Sequence, residues 1–156
     1  MNSSSPSLLA QQLDALLTDE HDTIANLANA SALLMETVPD LNWAGFYLYH
    51  KADNELCLGP FQGRVACVHI RPDRGVCGAA FTSQTSQRIA DVHAIADHIA
   101  CDAASNAELV IPLTKDHVQF GVLDLDSPTL NRFSADDETE LTAFAAVLMR
   151  HLDITA

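Results

Sequence analysis

The run Phe120-Gly121-Val122-Leu123-Asp124-Leu125-Asp126-Ser127 alternates leucine with aspartate, which in an extended chain puts Asp124 and Asp126 on one face and Leu123 and Leu125 on the other. Six residues, 114–119, separate it from the apolar residues 109–113, so the two segments predict a hairpin turning across Thr114-Lys115-Asp116-His117. A second hairpin is predicted upstream, from the aromatic run Trp43-Ala44-Gly45-Phe46-Tyr47-Leu48-Tyr49 across Lys51-Ala52-Asp53-Asn54 to residues 55–58, with Gly59-Pro60 closing it. Links this short join antiparallel strands, because a parallel pair needs a crossover of a dozen or more residues. No alternating series of strands and helices is present. The pattern therefore predicts a largely antiparallel α+β domain rather than a Rossmann-type sheet. Taken alone, the Asp124 and Asp126 face reads as the side of a strand that meets water.

Helices bracket these strands. Leu8, Leu9, Leu13, Leu16 and Leu17 recur at helical spacing, and Ile24, Leu27, Ser31, Leu34 and Val38 repeat the pattern up to Pro39, which cannot continue a helix. At the other end Ser134 precedes Asp136 and Asp137, an N-cap with an acidic first turn, and Leu141, Phe144, Ala145, Leu148 and Leu152 form one apolar stripe. With 156 residues the chain has the size of one domain, 1–156. Its parts are helices in 1–38, sheet and loops in 42–127, and a closing helix in 134–153. Eight Lys and Arg against 21 Asp and Glu give a net charge of −13, which repels a phosphate backbone or an anionic membrane. Neither nucleic acid nor a membrane is an expected partner. No run of about 18 apolar residues offers a membrane span, and no basic residue precedes an apolar run at the N-terminus as in a secretory signal. A cytoplasmic location is expected, where a disulfide among Cys57, Cys67, Cys77 and Cys101 would be transient and catalytic rather than structural.

Residues 65–70 read as a third strand with Val65, Cys67 and His69 on one face, so that Cys67 points away from the apolar side. In Gly75-Val76-Cys77-Gly78 a thiol sits at the start of a short helix, whose unpaired amides can lower its pKa. Period two groups Trp43, Gly45, Tyr47 and Tyr49, and the glycine between rings suggests a hollow for a small ligand. The connection from Arg88 through Asp91-Val92-His93 and His98-Ile99-Ala100-Cys101-Asp102 to Ser105 and Glu108 is rich in His, Asp and Ala. A thiol in a polar loop delivered onto a rigid strand is the setting of a reactive cysteine.

Three such thiols with Trp43, Tyr47, Glu108, Asp124 and Asp126 suit the reduction of a small oxidised sulfur compound. A thiolate attacks the electrophilic sulfur, a carboxylic acid supplies the proton that releases oxygen, and a second thiol condenses with the resulting sulfenic acid. Carboxylates that share a site push one another's pKa upward, so one of the three is expected to be protonated. That chemistry needs no cofactor. A zinc site built from Cys67, Cys77, His93, His98 and Cys101 is disfavoured by spacing, since no Cys-x-x-Cys pair is present, and no metal is expected.

The pieces Asn42-Trp43-Ala44-Gly45-Phe46-Tyr47, Leu58-Gly59-Pro60-Phe61-Gln62-Gly63, Ala66-Cys67, Gly75-Val76-Cys77-Gly78, Asp91-Val92-His93, His98-Ile99-Ala100-Cys101-Asp102, Ser105, Glu108-Leu109-Val110 and Gly121-Val122-Leu123-Asp124-Leu125-Asp126-Ser127 resemble, in order, those of the free methionine-(R)-sulfoxide reductases, GAF-domain enzymes. The resemblance implies a six-stranded antiparallel GAF sheet between helices and a homodimer. It further implies reduction of free methionine (R)-sulfoxide, with thioredoxin as electron donor. It makes Cys101 the nucleophile, Cys77 and Cys67 the resolving or recycling thiols, and Trp43, Tyr47, Glu108, Asp124 and Asp126 the substrate pocket. Cys57 has no place in that pattern. A non-catalytic GAF-type sensor of a small molecule or of redox state is the competing expectation.

Overall fold

The computed structural model describes residues 7–96 and 104–155. Two helices, α1 (Leu8–Leu17) and α2 (Thr23–Thr37), precede β1 (Trp43–His50), β2 (Glu55–Gly63) and β3 (His69–Ile70). Helix α3 (Gly75–Ser83), β4 (Gln87–Ile89), a single 3-10 turn at Val92–Ala94, β5 (Ala107–Lys115), β6 (Val118–Ser127) and α4 (Ala135–His151) follow. The strands form one six-stranded sheet in the order β3-β2-β1-β6-β5-β4, antiparallel at every pairing, as the hairpin-length links predict.

The helix ends follow from their caps. The Ser7 hydroxyl accepts from the Ala10 amide at 3.1 Å, Asp22 accepts from Ala25 at 2.8 Å, and Ser134 and Asp137 bond reciprocally as a capping box. One sheet face carries α2 over β1 and β2 and α4 over β5, with α1 against α4. Leu13, Leu17, Leu27, Leu34, Phe46, Leu123, Leu125, Phe144 and Leu148 are fully buried in that layer. The opposite face carries the short α3 against β5 and β6, over a smaller cluster that includes Trp43, Tyr47, Cys77, Phe81, Val110 and Val122. Among the described residues no helix is long and apolar enough to cross a membrane.

Two strand boundaries differ from expectation. Strand β2 does not stop at Gly59-Pro60 but runs on to Gly63; the pairing with β1 shifts by one residue between Gly45↔Phe61 and Tyr47↔Leu58, so the Gly-Pro pair forms a bulge. A bulge tolerates the amide that proline lacks. Residues 65–67, expected to open the third strand, have no regular structure, and β3 is reduced to its last two residues. The segment is instead pinned from below, as Trp43 Nε1 donates to the Arg64 carbonyl at 3.2 Å and Tyr47 Oη to the Cys67 carbonyl at 3.0 Å.

Candidate active site

Strands β1, β5 and β6 lie side by side with Gly45 opposite Asp124, Trp43 opposite Asp126 and Glu108 opposite Asp126. Their alternation sends Ala44, Phe46, Leu109, Leu123 and Leu125 into the helical layer and Trp43, Tyr47, Glu108 and Asp124 to the other face. There a cavity of about 50 Å³ is lined by Trp43, Tyr47, Cys77, Ser105, Glu108, Asp124 and Asp126, with residues 65–66, Ile70 and 74–76 completing the wall. The register between β1 and β6 depends on close contact at Gly121, where a Cβ would fall 2.1 Å from the Tyr47 carbonyl oxygen.

The aromatic wall is a row of stacked rings. Trp43 lies 5.1 Å from Phe61 and 5.8 Å from Tyr47, centroid to centroid, with interplanar angles of 16° and 20°. The hollow expected over Gly45 does not exist, since a Cβ there would lie 2.2 Å from the Phe61 Cβ. The glycine lets β2 approach and stack Phe61 on Trp43, and the open space lies on the Tyr47 side of that row.

The acidic wall is dry, which overturns the solvent-facing reading of the Asp124 strand. Glu108 is 7% exposed and Asp124 5%. Asp124 hydrogen-bonds with Glu108 and with the Cys77 thiol, and Glu108 also with Asp126, which is half-buried. Burial and the neighbouring Asp126 charge push the Asp124 carboxyl up to about 8. Burial and the charge of Asp124 hold Glu108 well above the usual carboxylate range. Ionising these buried carboxyls beside one another costs several kcal/mol, so they keep protons instead. The Tyr47 phenol is raised by burial and by Asp124, and so stays a neutral donor.

Cys77 departs from the helix-dipole expectation. It stands in the first turn of α3, but burial, Asp124 and Glu108 push its thiol up rather than down. Desolvation beside two carboxylates outweighs the partial charge of a helix end.

The GAF domain family matches residues 24–153. Protein YtsP of Bacillus subtilis is 54% identical over 145 residues, covering 93% of this chain and 89% of the relative. The free methionine-R-sulfoxide reductase of Escherichia coli is 50% identical over 147 residues, covering 94% of this chain and 88% of its own length. The chain belongs to the GAF-domain free methionine-R-sulfoxide reductases. The X-ray structure of the Neisseria meningitidis free methionine-R-sulfoxide reductase in complex with its substrate superposes with a TM-score of 0.88 at 41% identity, covering 92% of this chain and 85% of that one.

Of the residues that the family pattern singled out, Trp43, Tyr47, Cys77, Glu108, Asp124 and Asp126 meet around the one cavity. Cys67 stands on the neighbouring segment, half-buried and disulfide-bonded. Cys101, with His98 and Asp102, lies outside the described residues. Cys57 is a free thiol in β2, opposite His69, and is not part of the cavity wall. His93 keeps to a local role, its Nε2 3.0 Å from the Asn106 side-chain oxygen.

Two polar side chains of the wall received no role from the sequence. Ser105 is buried and its hydroxyl accepts from Asn42 Nδ2 at 3.0 Å, tying the entry of β5 to the start of β1. Among the described residues Arg74 is the only basic side chain in the wall, alongside three acids. Its signal was available, as one of only eight Lys and Arg in a strongly acidic chain, placed just ahead of the Gly-Val-Cys-Gly turn.

Proposed function

We propose that this protein reduces free L-methionine (R)-S-oxide to L-methionine by thiol chemistry. The observation that carries the reading is the pairing of a stacked aromatic wall with a buried, proton-holding acidic wall in a cavity beside a disulfide-bonded cysteine. The rings of Trp43 and Tyr47 take the apolar methyl and methylene groups, and the acidic side chains take the α-ammonium. Entry of that cation adds positive charge to that already carried by Arg74 in the wall, so an acidic proton leaves as the ammonium docks. An N-blocked or peptide-bound substrate offers no such charge, which accounts for selection of the free amino acid.

In this mechanism Cys101 attacks the sulfoxide sulfur, and Glu108 or Asp124, protonated in the empty site, delivers the proton to the sulfoxide oxygen. Oxygen passes to Cys101 as a sulfenic acid and methionine leaves. A second thiol then condenses with the sulfenic acid, releasing water and forming a disulfide. Cys67 takes that role ahead of Cys77, since Cys67 is in a disulfide here while Cys77 is free, buried and hydrogen-bonded to Asp124. A dithiol of the thioredoxin kind returns both cysteines to thiols. The remaining parts of the reading are a single functional domain over 1–156, a homodimer and a reducing cytoplasmic setting.

The test is consumption of free L-methionine (R)-sulfoxide, its (S) epimer and an N-acetylated analogue with thioredoxin and its reductase, by wild type and Cys101→Ser. Turnover of the free (R) form only, abolished in the variant, is expected. No turnover by folded, reduced protein would overturn the proposal and favour a sensor.

A further inference from the structure

The acidic wall contains a set of donor atoms that the reduction does not need as a set. A sulfur of Cys77, a carboxylate oxygen of Glu108 and one of Asp124 all lie within 4.8 Å of one another, and all three residues are buried. A tetrahedral zinc with bonds of about 2.0–2.3 Å holds its ligand atoms roughly 3.5 Å apart, so small side-chain movements would close the set around one ion. A second observation points the same way. Asp124 is 95% buried by its 5% exposure, and although its carboxyl hydrogen-bonds with Glu108 and Cys77, one of its oxygens, Oδ1, has no hydrogen-bond partner among the described residues. A buried acceptor without a donor costs about 1–3 kcal/mol, and a cation satisfies it outright.

The rest of the cavity fits an ion. Its volume of about 50 Å³ holds a cation with a water or two, and among the described residues Asp126 adds a third carboxylate and Arg74 one guanidinium. One thiolate with two carboxylates is a borderline donor set, soft enough for zinc or cadmium and poorly matched to magnesium or calcium, which take oxygen alone.

From this geometry we infer that Cys77, Glu108 and Asp124 form a binding site for a borderline divalent cation, zinc(II) in kind, which occupies the same acidic wall as the amine of the amino acid and excludes it. Binding displaces the thiol proton and the carboxyl protons to solvent and completes the tetrahedron with water. The exclusion rests on the amine placement proposed above; the metal site itself does not. Zinc then acts as a competitive inhibitor, raising KM for the sulfoxide and leaving kcat unchanged.

The experiment uses oxidised full-length protein carrying Cys57→Ser, so that Cys67 stays in its disulfide and Cys77 is the free thiol. Cadmium(II) is titrated and the ultraviolet charge-transfer band of a cadmium thiolate is read, with folding checked by circular dichroism. One cadmium per chain is expected, displaced by zinc, with the band abolished by Cys77→Ser and the affinity lowered at least tenfold by Glu108→Gln and by Asp124→Asn. Free methionine should raise the apparent Kd. Absence of the band in folded protein, its survival in Cys77→Ser, or unchanged affinity in both carboxylate variants overturns the site. Binding that methionine leaves untouched overturns the exclusion. Because the band needs no turnover, failure of the reductase assay would refute the proposed activity without touching this result.

Discussion

The two faces of the sheet are made from the same strands and obey opposite rules. On the helical face, Phe46, Leu109, Leu123 and Leu125 are sealed under α1, α2 and α4, and each buried side chain stabilises by roughly 1.5–3 kcal/mol. On the α3 face their immediate chain neighbours Tyr47, Glu108 and Asp124 are almost as well buried, but two of the three carry ionisable carboxyls that keep protons because burial and neighbouring carboxylates disfavour their charged forms. Burial is thus a poor guide to what a residue does for stability. The helical face supplies the folding energy, and the α3 face gives part of it back in holding buried acids, the groups that under the proposed function receive a cationic guest.

The sharpest break of this comparison comes from cutting the dry face. Phe46→Ala should cost about 3–5 kcal/mol in chemical denaturation while the folded fraction keeps its kcat; a loss of activity without a loss of stability would mean that the two faces are not separable. The converse cut, Asp124→Asn, should lower kcat/KM about a hundredfold, equivalent to about 2.7 kcal/mol, in a protein that remains folded. Next in size is a pH effect on the ligand-free protein. The unfolded Asp124 carboxyl releases its proton near 3.8, while the folded one keeps it until about 8. Between those values the folded state binds more protons, so stability should fall as pH rises across that window, by on the order of 1–3 kcal/mol. Denaturant midpoints measured from pH 4 to 9 should show this decline in wild type and a flatter profile in Asp124→Asn. Smallest is the partly exposed pair Arg88 and Glu138, at 3.0 Å, where Glu138→Gln should cost less than about 1 kcal/mol and leave both faces intact.

The division of the sheet was legible because period two is strict. Leu123 and Leu125 against Asp124 and Asp126 already stated two faces, and the hairpin spacings stated antiparallel pairing. What stayed hidden was the environment of each face. Nothing local in the β6 sequence says that α3 folds back over Asp124, so the solvent-facing reading was the natural one and it failed. Cys77 misled for the same reason, since its helix position is local but the carboxylates that raise its pKa arrive from β5 and β6. The bulge at Gly59-Pro60 was obscured because glycine and proline mark a break and a bulge with the same letters. The aromatic row was half visible. Trp43 and Tyr47 share a strand face, but Phe61 joins them only through that bulge.

The turn between β5 and β6 spans Asp116 and His117, both with positive φ, at 50° and 65°, between the paired Lys115 and Val118. Its length works like a reading frame. One residue added ahead of β6, if absorbed by a slip of the pairing, would present the aspartates to the helices and the leucines to the ring wall, with every amino acid still in its original order. A message that is correct letter by letter would then be nonsense in three dimensions, and two residues at the far end of the hairpin keep it in phase.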